Sequence, residues 1–404
     1  MAVLRVEIDK QTTFLTSEVD KSKKYESELQ NKIATLNAQQ QQLIAQKLSS
    51  LNLPTSAGSG AKGCTDDRTI DPGFSPRFAF FTFGVPNRVG LNQYGAFGRA
   101  KAGQSYEDIL RAYYNFDEIK EWDTGVKISV EGYGDYSLEE YVKHIYEIPN
   151  DWGDKGGMEA LKAQAVAARS YALAYTGNGS KSICTTENCQ VFQSGEKGGN
   201  WGRAVEETRG KVLVQGGNPV KAWFSSTHGG YIFSSGDIGW NSSSWTKNGR
   251  DTNGDINSFQ DLMDRAYDKD SPWFYCDWGG RSQYSNTAWL KPEEVADIAN
   301  ALLLAKTDSG TTTHLCQTDQ AKCSDTWDAN KVKEELKSRG QSPLNSVSSI
   351  NIDWDKGSGR TTNITVSGDG GSHSFNPKEW KDFFNLRAPA NIQIVGPLFN
   401  VEKR

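Results

Sequence analysis

The sequence predicts an α+β fold: a strand-rich mixed body around a buried, alanine-rich helix, with a coiled-coil-like helix at the N-terminal end. Short β-type runs such as FAFFTF and KVLVQG are separated by Gly, Asn and Asp, and the chain holds 40 glycines. The stretch MEALKAQAVAARSYALAYT has a helical composition, and residues 5–51 contain neither Gly nor Pro. Because strands and helices do not alternate regularly, α+β is favoured over a doubly wound parallel sheet.

Residues 1–53 are predicted to form a helical stalk. Their apolar positions alternate spacings of four and three residues, the heptad pattern of a coiled coil. These positions are Leu15, Val19, Leu29, Ile33, Leu36 and Leu43, with Ser22, Glu26 and Gln40 as polar interruptions. The polar positions predict weak self-association. The alternative is a single solvated helix that does not pair.

A linker is predicted at residues 54–63, where Pro54 and a Gly/Ser cluster end the helical pattern. We expect this linker to be flexible, with few contacts to the rest of the chain. The body then covers residues 64–404 and includes a Trp- and Asp-rich insertion at about 241–345. Further helices are predicted at SYEDILRAYYN, with Ser105 as N-cap, and at KPEEVADIANALLLAK.

The overall charge argues against nucleic acid as a partner. With 45 basic and 50 acidic residues the formal charge is −5, so there is no broad basic field to hold phosphates. No apolar run approaches the roughly 18–20 residues of a membrane span. The polar start MAVLRVEIDK lacks the apolar core of a signal peptide, so an export signal, if the protein has one, is expected outside this sequence.

The six cysteines predict disulfide bonds, and with them a location outside the cytoplasm. Cys184 and Cys189 form one closely spaced pair, and Cys316 and Cys323 form another. Cys64 and Cys276 complete the even number. Zinc is the alternative, but zinc sites usually combine such a pair with a second Cys or His doublet, and the four histidines are scattered. We therefore predict no metal and no cofactor.

Arg169 stands inside the alanine-rich helix predicted from Met158 to about Thr176. A helix that is apolar on most sides is normally buried within a domain. A buried arginine must be paired or face a cleft. The alternative is that its long side chain reaches the surface.

Several motifs together resemble the stage II sporulation protein D and amidase-enhancer family. The resemblance begins with LEEYVKHIYEIPNDW and the EALKAQAVAAR helix, which ends at Arg169. Further similar blocks are CTTENCQVF, AVEETRGKVLV, KAWFSSTHGGYIFSS and VGLNQYGAFGRAKAGQSYEDILRAYY. The matches are dense over about 110 residues and loose over most of 78–404. The combination is far more specific than any single motif.

The order of the blocks departs from the family pattern. The VGLNQYGA block normally closes the domain, whereas here it precedes the EIPNDW segment, which suggests a permuted arrangement. The last part of the chain would then supply strands, SGRTTNITVSG and FNPKEWKDFFNL, that normally lead into that block. Some relatives place a zinc-binding His beside the cysteine pair, but Asn188 precedes Cys189 here, which favours a disulfide.

Glu147 is the candidate catalytic residue, because by this resemblance it falls on the family's catalytic Glu position. Cleaving a glycosidic bond requires a carboxyl group that stays protonated near neutral pH. Hydrolases add a second carboxylate, whereas a lytic transglycosylase needs only one, since a hydroxyl of the sugar attacks intramolecularly. Tyr146, Ile148, Pro149 and Trp152 provide apolar surroundings that would raise the pKa of Glu147. The alternative is a strand-end carboxylate that caps a turn.

The resemblance also marks other site residues. Arg169 falls on a family position important for activity, where it would orient the carboxylate or a substrate group. Candidate substrate-binding residues are Gln93, Tyr94, Trp152, Ser225, Ser226 and His228. Ser225, Ser226 and His228 do not indicate a serine hydrolase, because neighbouring strand positions face opposite sides and no GxSxG elbow is present.

Two functions follow from this resemblance. The first is lytic-transglycosylase-like cleavage of peptidoglycan glycan strands in the cell envelope or outside the cell. The alternative is a non-enzymatic, wall-binding enhancer of a separate amidase, which would then be a partner.

Overall fold

The structure is a computed structural model, and it describes residues 10–28, 41, 44, 47, 50–51, 53–58, 64–317 and 325–404. Helices and strands are mixed along the chain, so the predicted α+β class is confirmed. The α-helices are α1 (10–28), α2 (Gln93–Lys101), α3 (Tyr106–Tyr113), α4 (Leu138–Lys143), α5 (Met158–Thr176), α6 (Gly199–Glu207), α7 (Phe259–Arg265), α8 (Pro292–Thr307), α9 (Ala329–Ser338) and α10 (Pro377–Arg387).

Most of the strands are short, and they lie in several small sheets. They are β1 (Cys64–Thr65), β2 (Phe78–Phe83), β3 (Leu91–Asn92), β4 (Glu118–Glu121), β5 (Lys127–Val130), β6 (Gly134–Ser137), β7 (Lys211–Gln215), β8 (Asn218–Pro219), β9 (Phe224–Ser225), β10 (Tyr231–Ile232), β11 (Gly249–Arg250), β12 (Tyr275–Trp278), β13 (Val347–Asp355), β14 (Arg360–Gly368), β15 (Gly371–Phe375) and β16 (Phe399–Lys403). A four-stranded sheet has the order β1-β12-β2-β16, with antiparallel pairing throughout.

Helix α5 is the centre of the largest hydrophobic core, as its alanine-rich sequence predicts. Fourteen of its 19 residues are buried, and it packs against α2, α3, α6 and β7. Its small side chains allow these elements to approach closely. The helix ends at Gly177, whose left-handed backbone (φ 60°) suits a residue without a Cβ. This packing fixes the segments before and after α5, including the one that carries Glu147.

A second core forms where the antiparallel sheet β13-β14-β15 meets α8 and α10. The segment FNPKEWKDFFNL, expected to be a strand, is mostly helix α10. Asn376 accepts hydrogen bonds from the N–H groups of Lys378 and Glu379, which caps the first turn. Trp380 and Phe384, one turn apart, are both buried. The helical spacing of its aromatic residues, rather than β propensity, determines this element.

The N-terminal helix α1 is exposed along its described length. Leu15 and Val19, two of the predicted seam residues, are 62% and 50% exposed. Leu29, Ile33, Leu36, Gln40 and Leu43 lie outside the described residues, so the coiled coil stays a prediction. In the described part of the chain, no helix combines the length and apolarity needed to span a membrane.

Residues 53–58, which we call the strap, lie against the body, whereas the sequence predicts a flexible linker at 54–63, of which 59–63 lie outside the described residues. Ser56 and Ala57 are buried. Upstream of the strap, Ile44 is buried and the Lys47 ammonium donates to the carbonyl of Ala388, 3.2 Å away. The composition of this segment is that of a linker, but its peptide groups are used in contacts with the body.

Candidate functional site

Glu147 lies between α4 and α5 at a point where two chain segments pair. The Tyr146 N–H donates to the carbonyl of Val191 (2.9 Å), and the Val191 N–H donates to the Glu147 side-chain Oε1 (2.6 Å). An isolated bridge joins Ile145 to Phe192 next to these bonds. Pro149 then starts the turn into a 3-10 helix, Asn150–Lys155. The carboxyl group is therefore held by backbone on one side.

The Glu147 carboxyl group is buried, with 2% of the residue exposed. Burial raises its pKa from 4.5 to about 7, because the charged form loses its hydration. The Val191 N–H and a hydrogen bond with the Ser56 side chain oppose this rise, since both stabilise the carboxylate. A pKa near neutrality suits a group that must donate a proton and later accept one.

Glu147 lines a cavity of about 420 Å³. The other lining residues are Leu53, Pro54, Thr55, Val85, Pro86, Asn87, Tyr171, Glu187, Asn188, Cys189, Trp223, Phe224, Ser225 and Trp240. Trp223 and Trp240 make an edge-to-face contact with ring centroids 5.1 Å apart, and Trp240 is 43% exposed. The cavity thus combines one buried carboxyl group with aromatic surface, and Glu187 adds a second, exposed carboxylate.

The side of the cavity that adjoins Glu147 is stabilised by a disulfide between Cys184 and Cys189, as predicted. A second disulfide joins Cys64 to Cys276 across 212 positions, tying β1 to β12. Cys316 is also disulfide-bonded. Cys323 lies outside the described residues. Within the part of the chain that the structure describes, no three His, Cys, Asp or Glu residues form a potential metal site.

Arg169 is fully buried and forms an ion pair with Glu139, which is 3% exposed. Its Nε and Nη2 donate to the two carboxylate oxygens of Glu139 at 2.9 and 2.7 Å. Nη1 donates to the Thr208 hydroxyl (3.0 Å), and Nη2 also donates to the Val205 carbonyl (2.7 Å). These contacts are those of a structural ion pair between α4, α5 and α6. They differ from the predicted role of orienting Glu147 or a substrate group.

Residues 129–215 match the model of the family described as Stage II sporulation protein. This range contains Glu147, Arg169 and the Cys184–Cys189 disulfide. The similarity to this sporulation-protein family is thus limited to residues 129–215. The matched range excludes the VGLNQYGA block, so the permuted order stays a prediction.

Two curated proteins are similar to the chain. The amidase enhancer of Bacillus subtilis is 41% identical over 96 residues, which cover 24% of this chain and 13% of that protein. An uncharacterized protein of Brachyspira hyodysenteriae is 30% identical over 167 residues, 38% of this chain and 43% of that protein. The aligned stretches thus span less than half of either relative. No solved structure gives a significant match.

The candidate substrate-binding residues lie outside the sporulation-protein family match, except Trp152. Among them, Ser225 lines the cavity, and its hydroxyl donates to the Asn87 carbonyl at 2.8 Å. Trp152 is buried and stacks on Phe97, with ring centroids 4.5 Å apart, so it belongs to the core beneath α2. Tyr94 contacts the edge of Trp152 at 4.9 Å. Neither Trp152 nor Tyr94 is among the cavity-lining residues.

Gln93 and Ser226 are buried and contact the strap. The Ala57 N–H donates to Gln93 Oε1 (2.6 Å), and the Ser226 hydroxyl donates to the Pro54 carbonyl (2.8 Å). His228 is fully buried, and burial holds its pKa well below the ordinary value. His228 is not among the residues that line the cavity.

Sequence reasoning missed Lys197, the cation next to Glu147 within the sporulation-protein family match. Its ammonium donates to the Ile148 carbonyl and lies over the rings of Tyr146 and Trp201, 5.5 and 5.0 Å from their centroids. Burial lowers its pKa to about 8, although the charge of Glu147 acts in the opposite direction. The surrounding sequence, GEKGGN, gives no signal for this position. Tyr171 and Trp223 were likewise not singled out.

Proposed function

We propose that this chain cleaves peptidoglycan glycan strands without water, with Glu147 as the single acid and base. The observation that carries the proposal is one carboxyl group, buried and with a pKa of about 7, that lines a cavity with aromatic walls. The similarity to the amidase enhancer of Bacillus subtilis supports a role at the cell wall. The disulfides fit a location in the envelope or outside the cell.

The proposed reaction needs only one carboxyl group, because Glu147 first gives up a proton and then receives one. Protonated Glu147 donates its proton to the glycosidic oxygen, and the bond from that oxygen to the anomeric carbon breaks. A hydroxyl of the same sugar attacks the anomeric carbon and loses its proton to the Glu147 carboxylate. The products are a free hydroxyl on one fragment and an anhydro ring on the other, and Glu147 is protonated again.

The aromatic residues supply a surface for the sugar. Trp223 and Trp240 line the cavity, and Trp240 is accessible from outside. Aromatic rings stack on the apolar faces of sugars, while their polar tips form hydrogen bonds. The Lys197 ammonium, close enough to Glu147 for a favourable charge interaction, stabilises the carboxylate after proton transfer.

Two other functions compete with this proposal. The name of the Bacillus relative suggests a non-enzymatic enhancer that binds the wall and stimulates a separate amidase. Glu187, a second carboxylate lining the same cavity, would suit hydrolysis, in which two carboxyl groups act together.

The test is incubation with purified peptidoglycan, with and without stem peptides, followed by mass analysis of the fragments. We expect anhydro ends that are absent with Glu147→Gln and retained with the matched control Glu187→Gln. Reducing ends, with loss of cleavage in both variants, would instead indicate hydrolysis by two carboxylates. No cleavage by the wild-type chain, together with faster turnover of an added amidase, would favour the enhancer function.

A further inference from the structure

The strap, residues 53–58, lies beside Glu147, and we call the surface of the body that it covers, with Gln93, Ser226 and Glu147, the groove. Leu53, Pro54 and Thr55 form part of the cavity wall. Ser56 is 2% exposed, and its side chain forms a hydrogen bond with the Glu147 carboxyl group. The strap therefore occupies space beside the Glu147 carboxyl group, and Ser56 uses one of the hydrogen bonds that this group can form.

The strap is bound mainly through its peptide groups. The Pro54 carbonyl accepts from the Ser226 hydroxyl, the Ala57 N–H donates to Gln93 Oε1, and the Gly58 N–H donates to the Glu147 backbone carbonyl (2.8, 2.6 and 2.9 Å). These contacts recognise one carbonyl and two N–H groups of the backbone. They do not depend on the identity of the side chains that the strap carries.

We propose that the strap is an internal competitor in the substrate groove, and that a ligand which displaces it carries amide groups that pair with Gln93 and Ser226. The inference rests on the proposed function of Glu147. The same contacts that bind the strap would hold an acetamido or peptide group of a ligand. Removal of the strap would leave the buried polar atoms of Gln93 and Ser226 without these partners, which disfavours an empty groove.

Gly58 offers a way to displace the strap without changing the body. A Cβ at this position would lie 2.7 Å from the Tyr146 carbonyl oxygen and 3.0 Å from the Glu147 carbonyl carbon. These neighbours are backbone atoms and cannot turn away. Gly58→Ala should therefore release the strap. Gly202→Ala is the matched control, because a Cβ there meets no atom within 4 Å.

The first experiment measures access to Glu147 in the full chain, by carbodiimide labelling of carboxyl groups and mass spectrometry. We expect Gly58→Ala to raise the labelling rate of Glu147 by about tenfold to a hundredfold, since overpacking against backbone shifts such equilibria strongly. Gly202→Ala should leave the rate unchanged. Ala57→Gln, which places a longer polar side chain at a buried position, should act like Gly58→Ala and serves if that variant does not fold.

Glycan cleavage separates this inference from the proposed function. Faster labelling of Glu147 together with faster glycan cleavage supports both the competing strap and the proposed function. Faster labelling without any cleavage supports the competing strap but contradicts the proposed transglycosylase activity. Unchanged labelling in a variant whose strap amides exchange faster with solvent would overturn the inference. Faster labelling with slower cleavage than the wild type would also overturn it, because the strap would then complete the site rather than compete for it.

The second experiment tests the chemistry of the ligand by calorimetric titration of Gly58→Ala. The probes are chitopentaose and cellopentaose, two neutral β-1,4-linked oligomers that differ by an acetamido group in place of a hydroxyl on each sugar. We expect chitopentaose to bind at least tenfold more tightly, and wild type to bind it more weakly than the variant does. Equal affinity for both oligomers would contradict recognition through amide groups.

Discussion

Glu147→Gln should change the pH dependence of stability as well as activity. The amide preserves the shape of the side chain and can still accept from the Val191 N–H, but it does not ionise in the relevant range. Glu147 has a pKa of about 7 in the folded protein and an ordinary value of 4.5. Between these pH values the folded chain keeps a proton that the unfolded chain has lost, so the free energy of unfolding falls as pH rises.

The magnitude follows from the two pKa values. Each pH unit between 4.5 and about 7 removes about 1.4 kcal/mol from the free energy of unfolding, which gives about 3 kcal/mol in all. This contribution is fully present below pH 4.5 and is lost as pH rises through 7. The free energy of unfolding of Glu147→Gln does not fall in this way, because the amide does not titrate. Its stability relative to wild type should therefore increase by about 3 kcal/mol between pH 4 and pH 8.

Urea unfolding of both proteins at pH 4, 6 and 8, followed by tryptophan fluorescence, measures this difference. Glu187→Gln is the control, because Glu187 is exposed and its replacement removes no buried carboxyl group. A stability difference between wild type and Glu147→Gln that stays constant across this range would refute the reasoning, since the carboxyl group would then be solvated in the folded protein.

Three further predictions concern activity and the framework of the site. The kcat/KM for glycan cleavage should fall as pH rises through about 7, because protonated Glu147 is the acid; a rate that keeps rising to pH 9 would contradict this. Arg169→Met should lower the free energy of unfolding by about 3–5 kcal/mol, since Glu139 stays buried without its partner, and adding Glu139→Gln should recover part of the loss in chemical denaturation. Replacing Cys64 and Cys276 by Ser should lower the free energy of unfolding by about 5 kcal/mol, because that disulfide closes a long loop. Replacing Cys184 and Cys189 by Ser should lower it by only about 2 kcal/mol, because these residues are five positions apart. Equal shifts in the two unfolding curves would argue against the loop-length explanation.

The sequence was sufficient for the parts of the fold that depend on local pattern. The alanine-rich composition of α5 predicted a buried helix, and Ser105 does cap α3 with a capping box that includes Asp108. A buried Arg169 is predicted to need a partner or a cleft, and Glu139 is that partner. The sequence could not show whether Arg169 pairs with another residue or faces a cleft, because Glu139 lies 30 positions away on another helix.

The strap and Lys197 could not be predicted, for two physical reasons. Pro, Gly and Ser in residues 53–58 indicate only that the segment does not form a regular helix or strand. The groove binds this segment through peptide groups, which every sequence has. Lys197 is half-buried because the aromatic rings of Tyr146 and Trp201 pack beside its side chain, and that arrangement exists only in the folded protein.

The pairing of β2 with β16 has a consequence for the time course of biosynthesis. Phe83 ends β2 and Phe399 begins β16, so 316 positions separate strands that lie side by side in the sheet. At a translation rate of about 5–20 residues per second, β2 is synthesised about 15–60 s before β16. During that interval the strand FAFFTF has an unpaired edge that can pair with other nascent chains. A chaperone that holds this strand until β16 is free to pair with it would raise the yield of native protein.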